Sequence, residues 1–211
     1  RGVVVATYSY PLSYPTSPNY SQSRFELMRR TGISESPFTG TQQTFSYEKF
    51  SMWQATLTLP PMKRVQAADW QAFFLKLRGR VGTFELGDPD ATSPQGAVAG
   101  TIRINNSGGY SAGTSTIATD GYTNADSTIV FKAGDYIQIG TTLHLVVNNA
   151  TCSSGAANLD IEPALKGTVA DDATITYTNP KGVFRLDTDI AGWDANAAST
   201  YGFSFSASEA F

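Results

Sequence analysis

The 211-residue chain predicts a mainly β protein in which a β-sandwich domain with one α-helix carries a second, small β unit. Three observations lead there. Ser and Thr occupy 20 and 25 positions, with 19 Gly and 12% aromatic residues, which is the vocabulary of strands and turns. Apolar residues alternate with polar ones in many short runs. Only one stretch has a helical apolar period.

Taken in order, Val3 and Val5 open a first strand. A linker studded with Pro11, Pro15 and Pro18 follows, carrying Tyr10, Tyr14 and Tyr20. Phe25 and Leu27 alternate with Arg24 and Glu26, as in a half-buried strand, and Thr31-Gly32 is expected to turn the chain. Phe45, Tyr47 and Lys49 begin another strand after the loop at 34–40. The clearest amphipathic strand has Trp53, Ala55, Leu57 and Leu59 on one face and Gln54, Thr56 and Thr58 on the other, and Pro60-Pro61 ends it. From about Val65 to Arg78, Trp70, Phe73, Phe74 and Leu77 form one apolar stripe at i, i+3, i+4 and i+7. Gly79 is the natural residue to stop that helix. Burial of its stripe contributes ~1.5–3 kcal/mol per side chain.

After Gly87-Asp88-Pro89-Asp90 the composition shifts, and residues 91–127 read as loops rich in Ala, Gly, Ser, Thr and Asn. Short strands are then expected at Thr128–Phe131, Tyr136–Ile139, Leu143–Val147, Leu159–Ile161 and Thr174–Tyr177. That spacing suggests a small barrel or sandwich. The last strand, with Tyr201, Phe203 and Phe205 alternating with Gly and Ser, is in the style of the first domain. The expected organisation is therefore discontinuous: 1–95 and 183–211 form one domain, and 96–182 is inserted into it.

Residues 1–80 hold ten Lys and Arg against four Asp and Glu, whereas the remainder holds five against fourteen. Such opposite ends suit contacts between copies of the chain. The near-neutral total, −3, does not predict a nucleic-acid binder. No apolar run approaches the ~20 residues that span a bilayer, so no membrane anchor is expected. Val3–Val5 is too short for a signal-peptide core.

Candidate chemistry is sparse. His144 is the only histidine, which excludes a two-histidine metal site, and it reads as a strand-surface residue pointing away from Leu143 and Leu145. Cys152, the only cysteine, sits in a turn without a cationic neighbour to activate it. Asp187, Asp189 and Asp194 fit no calcium-loop spacing, and no phosphate loop or nucleophile elbow is present. Neither catalysis nor a cofactor or metal is expected.

Ser34–Gln43, Trp53-Gln54-Ala55, Leu59–Met62, Trp70–Phe73, Leu77-Arg78-Gly79 and Gly82–Pro89 together resemble tail-tip proteins of long-tailed bacteriophages. Gly134–Gly140, Ile161-Glu162-Pro163 and Asn179–Gly182 extend the resemblance through the second unit. The similarity is to the distal tail proteins. It implies a β-sandwich forming a hexameric ring at the tail tip of the virion. That ring continues the tail tube, meets a hub or baseplate protein and supports fibres. It also implies that the inserted unit is an oligonucleotide/oligosaccharide-binding-like barrel. On this reading Tyr10, Tyr14, Tyr20, Arg29, Arg30, Pro37, Phe38 and Gln42 belong to subunit interfaces, through arms at 10–20 and 34–43. The alternative is a carbohydrate-binding module of a receptor-binding tail assembly, with Tyr136 and Tyr177 as glycan contacts.

Overall fold

Alternation of apolar and polar residues dominates the protein, whose computed structural model describes residues 7–47, 50–195 and 200–210. The strand expected at Val3 and Val5 begins outside the described residues. The protein is mainly β with one α-helix, and it divides into two compact units. One comprises Arg1–Phe25, Gln54–Leu86 and Val183–Ala210; the other comprises Glu26–Trp53 and Gly87–Gly182. The first holds eight Lys and Arg against six Asp and Glu, the second seven against twelve. Folding thus keeps the sign of the charge separation seen along the chain and reduces its size, because acidic 183–210 joins the basic segments.

A five-stranded sheet crosses the first unit. Its strands are β1 (Gln22–Met28), β4 (Met52–Thr58), β6 (Thr83–Leu86), β15 (Gly182–Leu186) and β18 (Ser204–Glu209), in the order β1-β4-β18-β15-β6. β18 pairs antiparallel with β4, Phe205 opposite Leu57 and Ala207 opposite Ala55, so one face of this pair is apolar. On the other face the hydroxyls of Thr56 and Ser206 lie 3.3 Å apart, and those of Thr58 and Ser204 3.4 Å apart. The bridge between Leu12 and Phe84 continues the sheet past β6.

Helix α1 (Arg64–Leu77) packs on the apolar face. Trp70, Phe73, Phe74 and Leu77 are all buried, as the stripe predicts. Phe74 meets Phe205 edge-on with centroids 5.0 Å apart, and Phe73 meets Phe84 at 5.5 Å, geometries that favour aromatic pairs. The helix ends at Arg78, which adopts the left-handed conformation (φ 52°) and donates its N–H to Leu75 O, one residue before the glycine expected to do so. Its N-terminus continues from β5 (Met62–Lys63), which joins β17 (Thr200–Gly202) and β16 (Asp194–Ala195) in a three-stranded sheet.

The second unit is built around a nearly closed six-stranded barrel-like sheet. Its strands are β7 (Gly100–Ile104), β8 (Thr116–Tyr122), β10 (Tyr136–Ile139), β11 (Thr142–Val146), β13 (Ala156–Glu162) and β14 (Ile175–Thr176). They run in the order β14-β10-β11-β13-β8-β7, and a bridge between Arg103 and Thr174 links the two ends. Ile104 N–H donates to Ala173 O, and Asp172 N–H donates to Ile104 O. Ile102, Ile104, Ile117, Phe131, Ile137, Leu159 and Ile161 fill the interior. A short ribbon of β9 (Ile129–Phe131) and β12 (Ala150–Thr151) supplies Phe131 and Ala150 to the same core.

β7 and β8 occupy a segment whose composition reads as loop. Thr101-Ile102-Arg103-Ile104 does alternate, but Gly100 and Gly121 disguise the ends of these strands. At Gly121 (φ +85°) a Cβ would lie 2.1 Å from Thr101 O, so the close approach of β7 and β8 requires glycine there.

The last elements, β2 (Thr31–Glu35) and β3 (Gln42–Ser46), form a separate two-stranded hairpin, pairing Gly32 with Phe45 and Glu35 with Gln42. Thr31-Gly32, expected as a turn, is strand, because the chain reverses at Ser36–Thr41 instead. There Ser36 N–H donates to Thr41 O and Gly40 N–H to Ser36 O.

Candidate functional site

The β2–β3 hairpin is the part of the chain least explained by its own folding. Apart from Gly32, every residue of its two strands is exposed. Phe38 at the tip is 96% exposed, and Ile33 is 67% exposed. Phe45, Tyr47 and Phe50 are exposed as well. A two-stranded hairpin without a buried face is marginal alone, and a concentration of exposed large apolar side chains marks an interaction surface. The tip is nonetheless ordered by local bonds. Gln42 Nε2 donates to Glu35 Oε2 at 3.0 Å, and the hydroxyls of Thr39 and Thr41 lie 2.5 Å apart.

The residues expected at subunit interfaces fall into two groups. Pro37, Phe38 and Gln42 are exposed on the hairpin. Arg30 is exposed just before it, and its carbonyl accepts the Tyr47 N–H. Arg29 pairs with Glu162 at 3.3 Å. The tyrosines belong to the first unit's own packing. Tyr10 Oη donates to Lys76 O at 2.8 Å, while Tyr14 and Tyr20 lie 5.6 Å apart and within 6.4 Å of the Trp70 ring. Burial raises the Tyr20 phenol well above the usual range, with Tyr14 adding to the effect. The segment 10–20 is therefore held against α1, whereas the hairpin is exposed.

Tyr136 and Tyr177 do not form a shared platform. Tyr136 packs against Trp53, with centroids 5.7 Å apart, and burial pushes its hydroxyl up to about 12. Trp53 in turn donates its indole N–H to Leu143 O at 2.8 Å. Tyr177 packs on the barrel core, edge-on to Phe131, and donates to Gly100 O. Since Ile137 is in the core, its neighbour Tyr136 faces the other side of the strand.

His144 is not a surface residue. It is wholly buried, with Nδ1 2.7 Å from Pro163 O and Nε2 2.8 Å from Thr142 Oγ1. Burial lowers its pKa to about 4, the Pro163 carbonyl opposing and the Lys166 charge reinforcing that shift. The strand-surface expectation fails because both faces of β11 are covered at this point: Leu143 and His144 are buried together. The hydrogen bond to Pro163 O makes Nδ1 the protonated nitrogen of the neutral ring. With both nitrogens engaged inside the unit, His144 has a structural role.

Cys152 is likewise buried, its Sγ 3.6 Å from Asn124 O. Asp187 Oδ1 accepts from Ser208 Oγ, and Asp189 Oδ1 from Arg80 N–H. Among the described residues no cluster of three or more His, Cys, Asp or Glu could hold a metal ion. Asp135, buried beside β10, accepts the N–H groups of Gln95, Gly96 and Lys132, which assigns it to loop anchoring.

No protein-family model matches the chain, and no curated protein sequence matches it.

Proposed function

We propose that this protein is a structural ring subunit of the tail tip of a long-tailed bacteriophage, joining the tail tube to a hub or baseplate protein. The observation that carries the reading is the hairpin Thr31–Ser46, which exposes Phe38, Ile33 and Phe45. A chain that keeps such residues in water without a partner exposes an aggregation hazard, whereas a subunit contact removes it. The sequence resemblance supplies the setting and the number six. The buried placement of His144, Cys152 and Asp135 leaves these groups to structural work, which favours an assembly component over an enzyme.

Native mass spectrometry and negative-stain imaging of the purified chain test the reading. Closed rings of six subunits, or recovery of the chain in purified tails, are expected. A chain that remains monomeric at every concentration and never enters virions would overturn it.

A further inference from the structure

Helix α1 has two apolar faces, and the fold uses only one. Opposite the buried stripe lie Val65, Ala68, Ala72 and Leu75, at i, i+3, i+7 and i+10, all exposed; Val65 is 83% and Leu75 60% exposed. Beside this stripe a cleft of about 460 Å³ separates the helix from the strap at 12–17, lined by Leu12, Tyr14, Ala72 and Phe73, with Asp69 and Lys76 among its polar residues. Tyr14 is held in place by its contact with Trp70, and the strap by Leu12, whose N–H donates to Thr83 O. The cleft is therefore a preformed groove of mixed lining, in which Ala72 and Phe73 lie among Ser13, Thr16, Ser17, Asp69 and Lys76.

We infer that this outward face of α1 and its cleft receive the β2–β3 hairpin tip of a second copy of the chain, with Phe38 as the inserted side chain. The inference rests on the ring reading above and names the surfaces that close the ring. Charge supports the pairing. Glu35 is the only charged residue in 31–46, whereas α1 places Arg64 and Lys76 beside the stripe against the single Asp69. The tip offers one protruding aromatic, Phe38, and the cleft presents Phe73 beside the small side chain of Ala72. Because knob and groove are different surfaces of one chain, the contact is heterologous. Such contacts build rings when the rotation closes and filaments when it does not.

Two single variants and their mixture test this. Phe38→Asp disables the hairpin and leaves the groove; Leu75→Asp disables the helix face and leaves the hairpin. Both positions are exposed, so each variant should keep the native secondary structure, read by circular dichroism. Each alone should be monomeric, with association weakened at least tenfold. Mixed in equal amounts they should form a one-to-one heterodimer that grows no further. Thr39→Cys with Ala72→Cys in one chain should yield a ladder of interchain disulfides under oxidation, and Thr39→Cys with Ser107→Cys should not. If the native chain forms rings but the variants assemble equally well, or the two cysteine pairs cross-link alike, the groove assignment falls and the ring reading stands. A mixture that stays monomeric also overturns the assignment. A native chain that never associates overturns both.

Discussion

Two hairpins of this protein have the same antiparallel pairing and opposite relations to water. In β10–β11, Ile137, Ile139, Leu143 and Val146 are buried, and the strands on either side complete a barrel wall. In β2–β3, Ile33 and Phe45 have the same β-forming character and are exposed. Ile33 and Phe45 also lie on opposite faces of the ribbon, because Phe45 pairs with Gly32 and Ile33 with Thr44. A ribbon whose apolar residues are split between faces cannot bury both against one layer of its own chain. The first hairpin is thus stabilised by its fold, and the second is specified by its turn and by what it meets.

The same substitution should separate the two regions. Phe131→Ala, in the barrel core, removes a wholly buried ring and should cost about 3–5 kcal/mol, read as a large drop in the denaturation midpoint. A loss below ~1 kcal/mol would show that the barrel interior is loosely packed.

The barrel should also respond to acid. His144 stays neutral in the fold down to about pH 4, whereas an unfolded histidine takes up a proton near 6.5. Its contribution is therefore fully present above pH 6.5, lost as pH falls from about 6.5 to about 4, and unchanging below that. The loss is on the order of 3 kcal/mol for a group this buried. Denaturant titrations at several pH values should show that decline in the native chain and a flatter profile in His144→Gln. Equal slopes would remove the histidine from the account.

Backbone constraint sharpens the contrast further. Gly40 (φ +67°) in the hairpin has open space where a Cβ would sit, so Gly40→Ala should cost only the left-handed penalty, about 1–2 kcal/mol. Gly121→Ala adds a clash with the Thr101 carbonyl to a similar penalty and should cost more. Hydrogen exchange should show the damage spreading through β7 and β8 only in the second case.

The smallest effect on stability belongs to Phe38→Ala, expected within about 0.5 kcal/mol of native because that ring is almost fully exposed. Calorimetry on the monomer checks it. A larger loss would mean that the tip is part of a core after all.

Much of the fold was legible in the residues themselves. The stripe Trp70, Phe73, Phe74 and Leu77 identifies α1, and the alternation through Trp53–Leu59 and Tyr201–Phe205 points to the paired strands β4 and β18, although Tyr201 itself lies in β17. β7 and β8 were hidden because glycines at 100 and 121, required by a close backbone approach, read as loop composition. Pro37 and Phe38 fall in the segment that reads as a loop, while the strands flanking it, Thr31–Glu35 and Gln42–Ser46, were only partly legible. The placing of Tyr10, Tyr14 and Tyr20 against α1 was not, since nothing local in a proline-rich segment says which surface it will cover.

Local chemistry therefore determined most of the periods, the single helix and the scarcity of reactive groups. Tertiary structure decided which of two apolar faces of α1 would be covered, buried His144 on both sides, and left Phe38 in water. The physical reason is that periodicity records which residues share a face, whereas burial depends on what distant segments bring to that face.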